Sequence, residues 1–315
     1  MRELAGKTAF VTGGASGIGF ALGRAFADAG MKVMLADIEP DALAAAVRSL
    51  HDSAPDVRGI PCDVADPASV ERAANASYEA FGNVHVVCNN AGVGGGSGID
   101  NISLDTWRWV LDVNLMGVLH GIRIFLPHIR AHGEGGHIVN TASITGMNSG
   151  LGFSPYSASK FAVVNMSEGL AMQVAPLGIG VTVLCPGFVR TRIWESGRNR
   201  PERYGPMRTP DLASTAGKLI ARLDRTRPGR TRPIRCCRAG SCRDPERRTL
   251  CVHAFRCGLA GRATRAIRRH LGGNGPSGGS LMRSTVVRSA SQDAPRLFPP
   301  RLRPPPSPRA GGGAE

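Results

Sequence analysis

Up to about residue 185 the chain alternates short apolar runs with longer stretches in which apolar residues recur every three or four positions. Short runs rich in branched side chains predict buried strands, and the three-to-four period predicts helices packed against them. KTAFVT (7–12), KVMLAD (32–37), VRGIPCD (57–63), VHVVCNN (84–90), HIVNTAS (137–143) and GVTVLC (180–185) are the expected strands. Helices are expected from the Gly-rich turn through Ala29, from Asp41 to about Leu50 with Pro40 at its start, and after the Asp66-Pro67 cap. Two long ones follow, Leu104 to Ala131 and Pro155 to Val174. Strand–helix alternation of this kind predicts an α/β fold, a doubly wound parallel sheet of the Rossmann type in a single domain. A looser stretch, 186–210, leads into a short helix near 211–223.

Beyond Leu223 the pattern stops. Residues 225–315 hold 11 Pro and 12 Gly, with Phe255 and Phe298 as their aromatics. Such a segment lacks the apolar surface needed to offset its ordering entropy, so it is expected to be disordered. The chain therefore divides into a catalytic domain, 1–223, and an Arg/Pro/Gly-rich tail, 224–315. Charge divides at nearly the same place. Residues 1–224 carry 19 Lys+Arg against 20 Asp+Glu, whereas 225–315 carry 20 Arg, no Lys and four acidic residues. The first part gives no electrostatic reason to expect nucleic acid or an anionic membrane as its partner. MRELAGKTAFVTGG shows no charged-then-apolar leader, and no run approaches the ~18–20 apolar residues of a membrane span, so a cytoplasmic protein is expected. Cys62, Cys88 and Cys185 lie in apolar runs and read as buried reduced thiols. The tail's Cys236, Cys237, Cys242, Cys251, His253 and Cys257 fit no zinc spacing, and the histidines show no ligand pattern, so no metal is expected.

TGGASGIG (12–19) sits between a strand and a helix, with Gly13, Gly17 and Gly19 spaced G-x-x-x-G-x-G. Glycines there permit positive φ and let backbone approach a pyrophosphate at the helix N-terminus, although a merely tight βα turn carries the same residues. Asp37 ends the second strand eighteen residues after Gly19, where an acidic residue bonds the adenosine ribose and repels a 2′-phosphate. No Lys or Arg stands in the turn or beside Asp37, which favours NAD over NADP. Tyr156 and Lys160, four apart, share a helix face. A phenol titrates near 10. Bringing it to about 7 beside an ammonium and a positive nicotinamide needs roughly 4 kcal/mol of differential interaction.

Taken in order, TGGASGIG, Asp63, Asn89-Asn90-Ala91-Gly92, Asn114, Ser143, Tyr156 with Lys160, and Pro186-Gly187 make the chain resemble a classical short-chain dehydrogenase/reductase over residues 4–222. The resemblance implies Tyr156 as general acid/base, Lys160 lowering its pKa and holding the nicotinamide ribose, and Ser143 stabilising the substrate oxygen. It implies that Asn114 holds a water linking Lys160 to solvent. It places Gly13, Ser16, Gly17, Ile18, Gly19 and Asp37 at the dinucleotide, with Asp63 and Val64 flanking the adenine. Asn90, Ala91 and Gly92 would line the cofactor, Asn89 would tie neighbouring strands, Pro186, Gly187 and Val189 would pack on the nicotinamide, and Thr191 would bond its carboxamide.

The implied activity moves a hydride between NAD(H) and a secondary alcohol or ketone. Val93, Ile144, Met147, Leu151, Phe153, Phe188, Ile193 and Trp194 suggest an apolar or alicyclic substrate, although a core beneath a lid would use the same residues. Arg190 and Arg192 read as solvated loop residues or as contacts for a substrate carboxylate or phosphate. The resemblance also implies a homodimer or homotetramer through helices 104–131 and 155–174. Two alternatives stand beside the enzyme: a dinucleotide-binding regulator without turnover, and a nucleic-acid-binding protein acting through the basic tail. Members of the family continue past 223 with a strand that closes the sheet. The corresponding stretch here, DRTRPGRTRPIRCCRAGSCRDP, contains none, so an uncovered edge is expected. A change of reading frame in a GC-rich message near residue 223 accounts for that composition better than a genuine basic tail.

Overall fold

A computed structural model describes residues 3–51, 56–95, 102–147, 154–187, 189, 191–206 and 286–289. Six parallel strands make up the sheet: β1 (Thr8–Thr12), β2 (Lys32–Asp37), β3 (Val57–Pro61), β4 (Val86–Asn89), β5 (Gly136–Thr141) and β6 (Ile179–Cys185). A seventh, β7 (Val286–Ser289), joins antiparallel, and the order across the sheet is β3-β2-β1-β4-β5-β6-β7. The order reverses between β1 and β4, and beyond the carboxyl ends of those strands a crevice opens.

Helices α1 (Gly17–Ala27), α2 (Pro40–His51), α3 (Pro67–Phe81), α4 (Leu104–Leu111), α5 (Gly117–His132) and α6 (Pro155–Val174) cover both faces. Two apolar clusters result, because strands buried on both sides must be apolar throughout. One places Leu22, Phe26, Leu35 and Leu43 on the α1–α2 side, and the other places Phe10, Phe125, Ile138 and Val163 on the α5–α6 side. Phe10 and Phe125 meet at 4.5 Å between ring centroids. Each such fully buried side chain contributes about 1.5–3 kcal/mol. Caps follow the sequence. The Asp66 carboxylate accepts from the Ala68 amide with Pro67 next in line, and the Ser154 hydroxyl accepts from the Ser157 amide ahead of α6. Cys62, Cys88 and Cys185 are buried and reduced.

Three features depart from the expectation. The helix read as Leu104 to Ala131 is broken by a π-turn at Asp112–Met116 and ends at His132. By length and a mean hydropathy of 1.4 this helical stretch could cross a membrane, contrary to the expectation. Val118, Ile122, Phe125 and Ile129, however, form a stripe at helical spacing buried in the core. The edge of β6 is not uncovered: Val286 pairs with Cys185 and Ser289 with Thr182. Edge pairing uses backbone groups, so two adjacent valines in an Arg-rich background suffice, and no alternating pattern announces them. The short helix near 211–223, the rest of the tail, residues 148–153, Phe188 and Arg190 lie outside the described residues.

Candidate active site

The glycine turn is fixed by close approach. Gly13 and Gly17 have φ of +64° and +56°, and a Cβ on Gly19 would stand 2.0 Å from the Gly13 carbonyl oxygen. Ser16 makes no side-chain cap bond, so the first amides of α1 keep hydrogen-bonding capacity at the crevice. Asp37, 8% exposed, accepts from the Ala15 amide at 2.9 Å and the Glu39 amide at 3.1 Å, while burial raises its pKa above the usual carboxylate range. An anion-tolerant turn with a carboxylate one strand away suits a dinucleotide.

Between β1 and β4 a polar knot sets the floor. The Thr12 hydroxyl accepts from the Asn90 and Ala91 amides at 2.9 and 3.0 Å and donates to the Cys88 carbonyl at 3.3 Å. Asn90 donates to the Thr12 carbonyl at 3.0 Å and accepts from the Thr141 hydroxyl at 3.2 Å. Asn89 does tie strands: its amide donates to Asn140 at 2.9 Å, and Asn140 donates in turn to Ser167 at 2.9 Å. Sequence reasoning missed Thr12, Thr141 and Asn140; for Thr12 and Thr141 a polar residue at the last position of an apolar strand was the available signal.

Tyr156 and Lys160 lie in the first turns of α6, on one side of it and in the same cleft as Gly13 and Gly17. The Lys160 ammonium is 5.7 Å from the Tyr156 ring centroid, 2% exposed, and donates to the Thr141 carbonyl at 2.8 Å. Ser143 hydrogen-bonds the Tyr156 phenol. The protein's own groups do not acidify the phenol as the spacing suggested. Burial raises the Tyr156 pKa against the lowering pull of Ser143, and burial brings Lys160 down to about 8. The two shifts share one cause, a water-poor cleft short of counter-charge.

Asn114 sits in the π-turn, fully buried. It accepts from the Val93 amide at 2.8 Å and donates to the Val93 carbonyl at 3.0 Å and the Ser159 hydroxyl at 3.3 Å. A Cβ on Gly92 would lie 3.4 Å from Asn114 Oδ1 and 3.5 Å from Lys160 Nζ, so these two polar groups flank Gly92. Asp63, Val64, Pro186, Gly187, Val189 and Thr191 line the same cleft of about 540 Å³, with Ser143, Ile18, Ile144 and Trp194. Gly19 and Met147 do not line it; Gly19 packs beneath the turn, and Met147 packs on the core cluster. Thr191 packs on the glycine turn, 3.0 Å from where a Gly17 Cβ would be. Arg192 is a half-exposed loop residue, as expected, and it bonds Glu195 at 3.0 Å and approaches Glu39 at 4.0 Å.

At the opposite end of the sheet the fold gathers His85, His132 and Glu134, a grouping that sequence spacing did not reveal. His85 Nδ1 accepts from the Thr8 amide at 3.1 Å, so Nε2 carries the proton and donates to Glu134 at 2.8 Å. A metal on that Nε2 would need its lone pair, which this tautomer does not offer.

A family model described as short chain dehydrogenase matches residues 7–202. The chain is 37% identical over 206 residues to 3beta-hydroxysteroid dehydrogenase 2 of Eggerthella lenta, covering 64% of this chain and 77% of the relative. It is 41% identical over 187 residues to 1-deoxy-11-beta-hydroxypentalenate dehydrogenase of Streptomyces avermitilis, covering 59% and 69%. A crystal structure of a short chain dehydrogenase/reductase from Burkholderia phymatum in complex with NAD is similar at TM-score 0.68 and 40% identity, covering 73% of this chain and 83% of that one.

Proposed function

The chain belongs to the short-chain dehydrogenase/reductase family of oxidoreductases acting on alcohols, and from that premise we propose that it moves a hydride between NAD(H) and an apolar, alicyclic secondary alcohol or ketone. The observation that carries this reading is the shared cleft: a buried Lys160, a Ser143-bonded Tyr156 and the positive-φ glycine turn all face one volume.

A bound nicotinamide supplies the hydride donor or acceptor. Gly13, Ser16, Gly17, Ile18 and Gly19 form the turn that receives the pyrophosphate, and Asp37 accepts from the adenosine ribose. Asp63 and Val64 flank the adenine, Asn90, Ala91 and Gly92 form the floor, and Pro186, Gly187, Val189 and Thr191 form the nicotinamide wall. Tyr156 takes the hydroxyl proton in oxidation and returns it in reduction, while Ser143 hydrogen-bonds the substrate oxygen as charge develops on it. Lys160, held by the Thr141 carbonyl, contributes the positive potential that favours the phenolate. Asn114 fixes the backbone at Val93 beside Lys160 and offers its oxygen to the route by which the proton reaches solvent.

Preference for NAD rests on Asp37. The cations that line the cleft there, Arg192, Arg198 and Arg203, each have a carboxylate partner, Glu195, Glu39 and Asp63. The apolar substrate wall is supported by Val93, Ile144, Ile193 and Trp194 in the cleft and by the alicyclic alcohols named in two relatives. Residues 1–223 form the catalytic unit in this reading, with β7 of the tail closing the sheet edge beside β6. Leu104, Met116, Phe161 and Met172, exposed apolar side chains on the two long helical stretches, give a homo-oligomer its contact face.

A panel of alicyclic and linear secondary alcohols, run with NAD and with NADP and followed by nicotinamide absorbance, tests the reading. Tyr156→Phe should lose turnover by about 10³-fold while dinucleotide binding persists. Intact turnover in that variant would refute the mechanism.

A further inference from the structure

We propose that residues 192–204 are a clasp across the adenosine end of the cleft, closed by two arginine–carboxylate pairs, and that its opening gates dinucleotide entry and release. The proposal rests on the cofactor reading above.

The segment starts beside the glycine turn, where Thr191 packs on Gly17, and runs over the cleft as two short 3-10 turns, Ile193–Asn199 and Glu202–Tyr204. It is rooted on the α4 side. Tyr204, 8% exposed, donates to Asp112 at 2.9 Å. Arg200 lies over the Trp109 ring at 5.1 Å and donates to the Thr106 hydroxyl at 3.1 Å and the Gly205 carbonyl at 2.7 Å. Facing the sheet, the contacts are different. Arg198 forks onto Glu39 at 2.6 and 3.2 Å, with Asn199 adding a bond to the same carboxylate at 3.0 Å. Arg203 reaches Asp63 at 2.8 Å.

Glu39 is two residues past Asp37, and Asp63 is the carboxylate assigned to the adenine. Both pairs therefore close on the rim of the adenosine site, and while Arg203 holds Asp63 one of that carboxylate's oxygens is occupied. The root is a buried phenol and a stacked guanidinium. The rim contacts are ion pairs of unequal strength: Arg203, half-exposed, makes a weak, salt-screened contact with Asp63, whereas the forked Arg198–Glu39 pair, about a quarter exposed, is the firmer of the two. The segment thus has a firm hinge side and a labile closing side.

A gate and a binding contact leave different kinetic signatures. Weakening a plain contact raises the dissociation rate alone. Weakening a clasp that is shut with and without cofactor raises association and dissociation together and leaves Kd nearly unchanged. Stopped-flow measurement of NADH binding to the full chain, with Glu39→Gln, Arg203→Gln and the double variant, separates them. Each single change should raise both rates by about two- to fivefold, and the double change by more. Added salt should accelerate both rates in the parent and have little effect in the double variant. Hydrogen exchange across 194–204 without nucleotide should quicken in the same order. A rise in dissociation alone, or unchanged rates and exchange, overturns the clasp. If the parent binds no dinucleotide, the cofactor reading falls and the gating role falls with it, while faster exchange in the variants would still register the closure itself.

Discussion

The two ends of the parallel sheet both bury ionisable side chains, and they treat them oppositely. At the amino end, His85 has a partner on each ring nitrogen, Thr8 and Glu134, and Glu134 is further held by Asn83 at 2.5 Å and faced by Lys7 at 3.8 Å. At the carboxyl end, Lys160 is buried with the neutral Thr141 carbonyl as its hydrogen-bond acceptor, and Tyr156 has the Ser143 hydroxyl. Fully partnered groups hold a fold together, whereas a cation buried without a carboxylate costs stability. Folds keep such costs where chemistry needs them.

The largest effect that sharpens this contrast belongs to Lys160→Met. Activity should fall by at least about 10²-fold, yet the protein should become more stable. Lys160 titrates at about 8 against an ordinary 10.5, so below pH 8 the folded state holds an unwelcome ammonium, at a cost of about 3 kcal/mol. Methionine removes that cost and loses the bond to Thr141, for a net gain of about 1–3 kcal/mol at pH 7. Between pH 8 and 10.5 the unfolded chain binds more protons than the folded one, so parent stability rises with pH and the variant's advantage shrinks. Urea unfolding at the two pH values measures it; a destabilised variant at pH 7 would break the comparison.

Thr12→Val should follow in size. Two amides, of Asn90 and Ala91, lose their acceptor, at about 1–3 kcal/mol, and dinucleotide binding should weaken because the floor carrying Asn90 loosens. Urea unfolding and a nucleotide titration check the pair of effects. The smallest change belongs to the other end. Burial holds the His85 pKa below its ordinary 6.5, so the folded state binds fewer protons there, and stability is lost as pH falls from 6.5 toward the folded value. In His85→Gln that acid sensitivity should be blunted with turnover intact; unfolding curves at pH 5 and 7 report it.

Legibility in the sequence follows the same division. The six parallel strands, the glycine turn and the Tyr156–Lys160 face depend on local periodicity and spacing of four, and both survive translation into three dimensions. Asp37 and Asn89 were readable because strand ends are marked by the last apolar residue. What escaped depends on groups far apart in the chain. Arg198 and Glu39 meet across 159 positions, and Arg203 and Asp63 across 140. No period links such pairs. The direction of the Tyr156 shift escaped for another reason: a spacing supplies the neighbour, but only the packed cleft supplies the desolvation that opposes it.

The π-turn at Asp112–Met116 bears on how the gene can vary in length. One wide turn lets a single rod keep Trp109 on the cleft wall while Val118, Ile122 and Phe125 stay on the sheet. Deleting one residue there would regularise the winding and rotate one half against the other by about 100°. Either the wall or the core would then face solvent. Single-codon deletions should therefore be tolerated far less well between 112 and 116 than at a surface turn such as Gly133–Gly135, making this helix a segment whose length is fixed by serving two layers at once.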